Sequence, residues 1–93
     1  MKRTSAEKLS KELGISRARG IEAVIKAQLI RAIVDAADEQ GMTHDRISKR
    51  SGVPRSAVTG ILSGSLQKVT LDRVLKLVEA VNLTAEVRTR RAA

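Results

Sequence analysis

The chain of 93 residues contains no Phe, Tyr, Trp or Cys, so any core that it forms must consist of aliphatic side chains. Nine Val, seven Ile and nine Leu are enough for one small core, and the length leaves no room for a second domain. Because cysteine is absent, disulfide scaffolds, thiol catalysis and cysteine-based zinc sites are excluded. Because aromatic rings are absent, the chain lacks the stacking surfaces of single-strand and RNA-binding modules.

The chain is strongly basic, with a formal net charge of +8 at pH 7. A charge of this size attracts nucleic acid, anionic membranes or acidic proteins, and it does not choose among them. The surplus lies at the ends: residues 1–20 carry six basic and two acidic side chains, and residues 83–93 carry three and one. Residues 21–82 are nearly balanced, with nine against seven. These ranges are the three predicted segments, namely a basic N-terminal arm, a central domain and a basic C-terminal tail.

The N-terminal arm is predicted to be either a short docked helix or a mobile segment. The capping-box spacing of Thr4 and Glu7 favours a helix as far as Leu13, and Gly14 is able to end it. Leu9 and Leu13 alone, however, make a thin apolar stripe. The sequence leaves both structures open.

The first long helix is predicted over residues 21–40. Apolar residues recur there every four positions, and Gly41 supplies a left-handed stop. The predicted core stripe of this helix consists of Ile21, Ile25, Leu29 and Ile33. Nothing on the helix demands a chemical role.

Two shorter helices follow, separated by a tight turn. Thr43 has the side chain of an N-cap residue, and the helix that it opens ends at Gly52. Pro54 lies in the first turn of the next helix, where its missing N–H costs nothing, and that helix stops at Gly64. Ser48 is small at the point where the second helix crosses the first. Two short helices joined by a glycine-containing turn form a helix-turn-helix motif.

Residues 44–64 resemble the helix-turn-helix of the lambda-repressor-like (Cro/XRE) regulators. The resemblance rests on apolar, small and glycine positions at Ile47, Ser48, Gly52, Val53, Val58 and Ile61. The resemblance covers residues 21–82. The chain also resembles, more loosely, the HigA-type antitoxins of the same superfamily with their C-terminal extension. The resemblance implies an all-α, lambda-repressor-like bundle of four to five helices that binds double-stranded DNA. The likeness to antitoxins also implies a toxin as a protein partner.

The second short helix divides into two halves when about 100° is allowed for each residue. Its inward half is apolar, whereas its outward half combines one arginine with small polar residues and fits a major groove about 12 Å wide. Arg55 is able to hydrogen-bond guanine O6 and N7, and Ser56 and Thr59 are able to reach neighbouring base edges. His44 resembles a DNA-contacting position of the family. The predicted base-reading residues are therefore His44, Arg55, Ser56, Thr59 and Gly60. An ordinary solvated face, which favours Glu and Lys pairs, is the alternative.

Phosphate contacts are predicted around the same helix. The start of a helix binds anions, which suits Thr43 and the amides beside it. Basic residues on the first short helix provide long-range attraction or contacts with the DNA backbone. The predicted phosphate-contacting residues are Thr43, Arg46, Lys49, Arg50, Ser63, Ser65 and Lys68.

The last predicted helix is capped by Thr70 and ended by Asn82. Its apolar stripe consists of Leu71, Val74, Leu75, Val78 and Val81. From residue 83 the period changes to two, which predicts a strand with Leu83, Ala85, Val87 and Thr89 on one face and Thr84, Glu86, Arg88 and Arg90 on the other. A lone strand cannot satisfy its own backbone, so we expect it to pair with the same strand of a second copy around a two-fold axis. A frayed tail is the alternative.

Enzyme chemistry is not indicated. One histidine, no cysteine and a single acid cluster at Asp35, Asp38 and Glu39 offer no catalytic residues, no metal site and no cofactor site. The six glycines form no phosphate-binding fingerprint. No apolar run approaches the roughly 20 residues that cross a bilayer, and the N-terminus lacks the pattern of a signal peptide. We therefore expect a cytoplasmic protein without a membrane partner.

The sequence thus predicts a homodimeric transcriptional regulator that acts as a repressor on inverted half-sites of double-stranded DNA. The alternative is an antitoxin that neutralises a cognate toxin through the arm 1–20 while it represses its own operon. A nonspecific architectural DNA-binding protein is a third interpretation.

Overall fold

The computed structural model describes residues 16–65 and 69–92. Within these ranges the chain forms four helices and no strand. The helices are α1 (Arg17–Glu39), α2 (His44–Ser51), α3 (Arg55–Leu62) and α4 (Leu71–Ala80). The predicted all-α class is confirmed, whereas residues 4–13, for which the sequence leaves a short helix or a mobile segment open, lie outside the described residues.

α1 begins four residues earlier than the sequence predicts. Ser16 is its N-cap, and the Ser16 hydroxyl accepts a hydrogen bond from the backbone N–H of Arg19 at 3.2 Å. This cap lets the helix run through Gly20, although an interior glycine costs about 1 kcal/mol relative to Ala. The predicted end is confirmed to within one residue, since α1 stops at Glu39 and Gly41 follows with φ +62°.

The apolar stripe predicted for α1 is wrong in its direction. Ile21 is 43% exposed, and of the four predicted stripe residues Ile33 alone is fully buried. The buried residues of α1 beyond its first turn are Lys26, Ile30, Ile33, Ala36 and Ala37. A repeat of four residues turns about 40° away from the starting face at each step, because four residues advance about 400°. Alternating steps of four and three residues stay on one face, and the observed core follows that pattern.

α4 has the predicted caps but a partly different stripe. The Thr70 hydroxyl accepts a hydrogen bond from the backbone N–H of Arg73 at 3.2 Å, and Asn82 follows the helix with φ +64°. Leu77, which is absent from the predicted stripe, is fully buried, whereas Leu75 is 45% exposed. Both residues are leucines, so hydropathy does not distinguish the two overlapping stripes. The contacts of α4 with α1 and α2 decide which stripe is buried.

The core lies where α4 packs against α1 and α2, and α3 closes it by packing against the same two helices. The largest fully buried side chains are aliphatic, as the composition requires. They are Ile33, Ile47, Val58, Val74, Leu77 and Val81. Since these residues come from all four helices and from the residue after α4, a single core unites the described elements.

One charged residue, Lys26, is buried in the described part of the chain. Its Nζ donates a hydrogen bond to the backbone carbonyl of Val69 and lies 2.6 Å from a carboxylate oxygen of Glu22. These contacts offset the cost of burying an ammonium group. The hydrogen bond that Lys26 donates to the Glu22 carboxylate, together with the positive charge of Lys26, holds the pKa of Glu22 below its ordinary value of 4.5. Lys26 thereby ties α1 to the segment that leads into α4.

Residues 83–92 have no regular secondary structure. The N–H of Leu83 donates to the Val78 carbonyl at 3.0 Å, but beyond this point the tail is exposed, with Val87 at 71%. The strand predicted from Leu83 to Thr89 is therefore not confirmed. A strand forms only where a neighbouring strand pairs with its backbone, and the described residues of the single chain provide no such neighbour.

Ile33→Ala is expected to lower the free energy of unfolding by about 2–5 kcal/mol, because it leaves a cavity in the core. Ile21→Ala is the matched change at an exposed position, and it is expected to alter this free energy by only about 0.5 kcal/mol. Urea unfolding followed by far-UV circular dichroism measures both. Equal losses in the two variants would show that the observed stripe does not form the core.

Candidate nucleic-acid interface

α2 is bounded by two local signals that the sequence predicts. The Thr43 hydroxyl accepts a hydrogen bond from the backbone N–H of Arg46 at 3.1 Å and caps the helix. At the other end Gly52 has φ +75°, and its N–H donates to the Ser48 carbonyl at 2.9 Å. A residue with a side chain is strained at this φ, so glycine determines where α2 ends.

Two serines fix the turn between α2 and α3. The Ser48 hydroxyl donates to the Val53 carbonyl at 2.6 Å, and the Ser51 hydroxyl accepts from the Val53 N–H at 3.1 Å. Val53 is buried, so its backbone groups need partners inside the protein. The sequence predicts only that Ser48 must be small, whereas the structure shows that its hydroxyl also closes the turn.

α3 divides by burial as its helical period predicts. Pro54 occupies the N-cap position rather than the first turn, and Val58 and Ile61 on the inward half are buried. Gly60 is half-buried. The other outward residues are exposed, and they are Arg55, Ser56, Thr59 and Ser63. The outward half of α3 is therefore accessible to a ligand.

A hydrogen bond joins two of the predicted base-reading residues across the motif. Nδ1 of His44, the first residue of α2, lies 3.0 Å from Oγ1 of Thr59 on α3. This bond orients the threonine hydroxyl. The other imidazole nitrogen, Nε2, has no hydrogen-bond partner among the described residues. The two residues are 15 positions apart on different helices, so neither periodicity nor motif spacing predicts the contact.

Two arginines of the motif, Arg46 on α2 and Arg55 on α3, are exposed. Neither side chain forms a hydrogen bond or an ion pair with the residues that the structure describes. A guanidinium group has five N–H donors, so both side chains can bind an anion or a base edge. Ser65 is also exposed, and Lys68 lies outside the described residues.

Two further predicted phosphate-contacting residues already have partners in the protein. Lys49 forms an ion pair with Asp45 at 3.1 Å, and the Ser63 hydroxyl donates to the Gly60 carbonyl at 2.9 Å. The ion pair is exposed, and an exposed pair contributes only about 0–1 kcal/mol. Lys49 can therefore exchange Asp45 for a phosphate at little cost.

Arg50 contacts the end of α4. Its Nη2 donates to Oδ1 of Asn82 at 2.7 Å, and Nδ2 of Asn82 donates to Oε1 of Gln40 at the same distance. Nε2 of Gln40 donates in turn to the carbonyls of Ala36 and Val81, at 3.0 and 2.8 Å. We call the three side chains of Gln40, Arg50 and Asn82 the Asn82 junction. The sequence does not predict this junction, because the residues that it joins across the fold lie between 32 and 42 positions apart.

The charge around the motif favours an anionic ligand. Between residues 44 and 55 four basic side chains face one acidic side chain. No group of His, Asp and Glu within 16–65 and 69–92 is placed to hold a metal ion. In the same ranges, no helix has both the length and the apolar character needed to cross a membrane.

A protein-family model described as a helix-turn-helix domain matches residues 9–90 of the chain. This range contains all four helices and most of the tail. It confirms the predicted helix-turn-helix, while the finer resemblance to Cro/XRE regulators and HigA-type antitoxins stays a prediction. Comparisons with curated proteins and with solved structures gave no significant match.

Gly60→Ala is expected to raise the free energy of unfolding by about 0.5–1 kcal/mol, because Gly60 lies inside α3 and an added Cβ meets no atom within 4 Å apart from its chain neighbours and the nearby backbone of its own helix. Gly52→Ala is the matched change, and it is expected to lower this free energy by about 1 kcal/mol because Gly52 has φ +75°. Urea unfolding measures both variants. A loss of stability in Gly60→Ala would contradict the open space described over this part of α3.

Proposed function

The chain belongs to the helix-turn-helix domain family, and we propose that it is a transcriptional repressor that binds a specific sequence of double-stranded DNA as a homodimer. The observation that carries the proposal is the outward half of α3. There an arginine with no partner among the described residues stands beside small polar side chains. In this proposal α3 lies in the major groove, which is about 12 Å wide, and α2 crosses the DNA backbone.

Base reading is assigned to the outward half of α3 and to His44. Arg55 hydrogen-bonds O6 and N7 of a guanine, a bidentate pairing that discriminates against other bases by about 1–3 kcal/mol. Ser56 and Thr59 reach neighbouring base edges, and Gly60 adds no side chain between the helix and the groove. His44 orients the Thr59 hydroxyl through the 3.0 Å bond and keeps Nε2 for DNA.

Phosphate contacts are assigned to the residues around α3. Arg46 is exposed and has no partner among the described residues, and the first turn of α2 after Thr43 presents backbone N–H groups to an anion. The full set remains Thr43, Arg46, Lys49, Arg50, Ser63, Ser65 and Lys68. These contacts position the protein on the duplex without reading its sequence. They also release counterions, so the affinity falls as the salt concentration rises.

The homodimer is proposed from the exposed tail. No backbone group of residues 84–92 hydrogen-bonds to another backbone group of the described chain. Leu83, Ala85 and Val87 are apolar and alternate with polar side chains, so pairing with the same segment of a second copy buries one face of each strand. Two-fold symmetry then presents two α3 helices to inverted half-sites about 34 Å apart. A cytoplasmic location is part of the same proposal.

Neutralisation of a toxin by the same chain is a second candidate function. It is favoured by the basic surplus of residues 1–20, which carry six basic against two acidic side chains and largely precede the helix-turn-helix. The arm then binds the toxin, and α3 represses the operon. Co-expression with the product of the adjacent reading frame tests this function. Co-purification of the two proteins supports neutralisation of a toxin. Separate elution contradicts it and leaves the transcriptional repressor as the proposed function.

Arg55→Ala is expected to reduce discrimination at one base position by about 1–3 kcal/mol, because the bidentate contact to guanine is lost. Selection from a random duplex pool with the unaltered chain defines the preferred sequence, and competition with single-base variants measures the loss. Arg31→Ala is the matched control, since Arg31 lies on α1 and pairs there with Asp35. Uniform weakening on every duplex contradicts the role of Arg55. Equal binding of selected and random duplexes by the unaltered chain contradicts the proposed function and favours an architectural protein.

Val87→Pro is expected to convert the dimer to a monomer, because proline removes a backbone donor and disrupts a paired strand. Val87→Thr keeps a β-branched side chain suited to a strand and is expected to stay dimeric. Sedimentation measures the mass of each variant against the 10.1 kDa of one chain. A monomeric unaltered chain, or a dimer that tolerates proline, contradicts pairing through the tail.

A further inference from the structure

The C-terminal tail leaves the domain at a fixed point. Asn82 is the last residue before the tail, and it has the left-handed φ of +64°. The N–H of Asn82 donates to the Glu79 carbonyl and the N–H of Leu83 donates to the Val78 carbonyl, both at 3.0 Å. The Leu83 side chain packs against the core. The first residue of the tail therefore has a defined direction.

The Asn82 side chain ties this exit point to two other helices. Its Oδ1 accepts from Arg50 on α2, and its Nδ2 donates to Gln40 at the end of α1, each at 2.7 Å. Gln40 is held in turn by the carbonyls of Val81 and Ala36. Only a side chain that both accepts and donates can join a guanidinium group to an amide oxygen. The amide of Asn82 therefore joins Arg50 to Gln40, which the termination of α4 does not by itself require.

Ending α4 does not require the Asn82 side chain. Glycine adopts positive φ without steric cost, and it is the residue most often found at such a position. The two bonds of the Asn82 side chain lie at the exposed surface, where water competes for the same groups. Their main effect is geometric, because they hold the start of the tail against α2. Arg50 still has four guanidinium N–H groups available for a phosphate.

We propose that Asn82 is a positioning residue that sets the spacing between the two DNA half-sites. The inference rests on the proposed function, in which the tails of two copies pair. In such a dimer the tails link the two domains, so the direction of each tail at Asn82 determines how far apart the two α3 helices lie. A fixed junction admits one separation, whereas a loosened junction admits several.

The experiment uses the full chain and duplexes built from the half-site that the unaltered chain selects from a random pool. The centre-to-centre distance of two inverted half-sites is varied in steps of one base pair around about one turn of duplex. The unaltered chain is expected to bind one spacing at least about tenfold more tightly than spacings two base pairs away. Glycine still permits the positive φ that ends α4, but Asn82→Gly removes both side-chain bonds and lets the chain leave in other directions, so it is expected to reduce this preference below about threefold.

Two readouts separate a positioning role from a merely structural one. The half-site sequence preferred by Asn82→Gly and its dimer mass are expected to match those of the unaltered chain. Gln40→Ala removes the other side of the junction and is expected to loosen the spacing in the same direction. Lys76→Ala is the matched control, since Lys76 lies on α4 in an exposed pair with Asp72 and is expected to leave the spacing preference intact.

The outcomes for the inference and for the proposed function are distinct. If Asn82→Gly and Gln40→Ala both keep the tenfold preference of the unaltered chain for one half-site spacing, the positioning role of Asn82 is overturned. The proposed repressor function is not affected by that result. If the unaltered chain selects no inverted half-sites, the proposed function fails first. A folded Gln40→Ala variant keeps the inference testable even if Asn82→Gly does not fold.

Discussion

The angle between α2 and α3 depends on how the buried backbone of Val53 is satisfied. Its carbonyl accepts from the Ser48 hydroxyl and its N–H donates to the Ser51 hydroxyl, within a core whose side chains are aliphatic. Leaving either group unsatisfied costs about 1–3 kcal/mol, so the two serines hold the turn in one conformation. The position of α3, and with it the contact between His44 and Thr59, depends on that conformation.

Features determined by a few neighbouring residues could be predicted from the sequence. Thr43 and Thr70 cap their helices because each hydroxyl reaches the N–H three residues further on. Gly52 and Asn82 end helices because both tolerate positive φ. The outward half of α3 could be predicted for a similar reason, since the helical period alone decides which side chains share a face.

Features that depend on which elements meet could not be predicted in the same way. α1 and α4 contain more apolar residues than their core faces need, so contacts between helices select one stripe and leave Ile21 and Leu75 exposed. The Asn82 junction and the bond between His44 and Thr59 join residues that are distant in the sequence. A single sequence carries no signal for such pairs. The tail differs again, because a strand over Leu83 to Thr89 requires a neighbouring strand, and the described residues contain none.

The short side chains on the outward half of α3 have a thermodynamic consequence. Lys or Glu side chains lose up to about 2 kcal/mol of conformational entropy when they are immobilised, whereas Ser and Thr have few rotamers and Gly has none. A surface built from Ser56, Thr59 and Gly60 is therefore nearly as ordered before association as after it. Arg55 is the one flexible side chain among them. Contacts made by Ser56, Thr59 and Gly60 therefore carry little entropic cost of ordering. Most of their free energy contributes to the difference in affinity between one ligand and another, which is specificity.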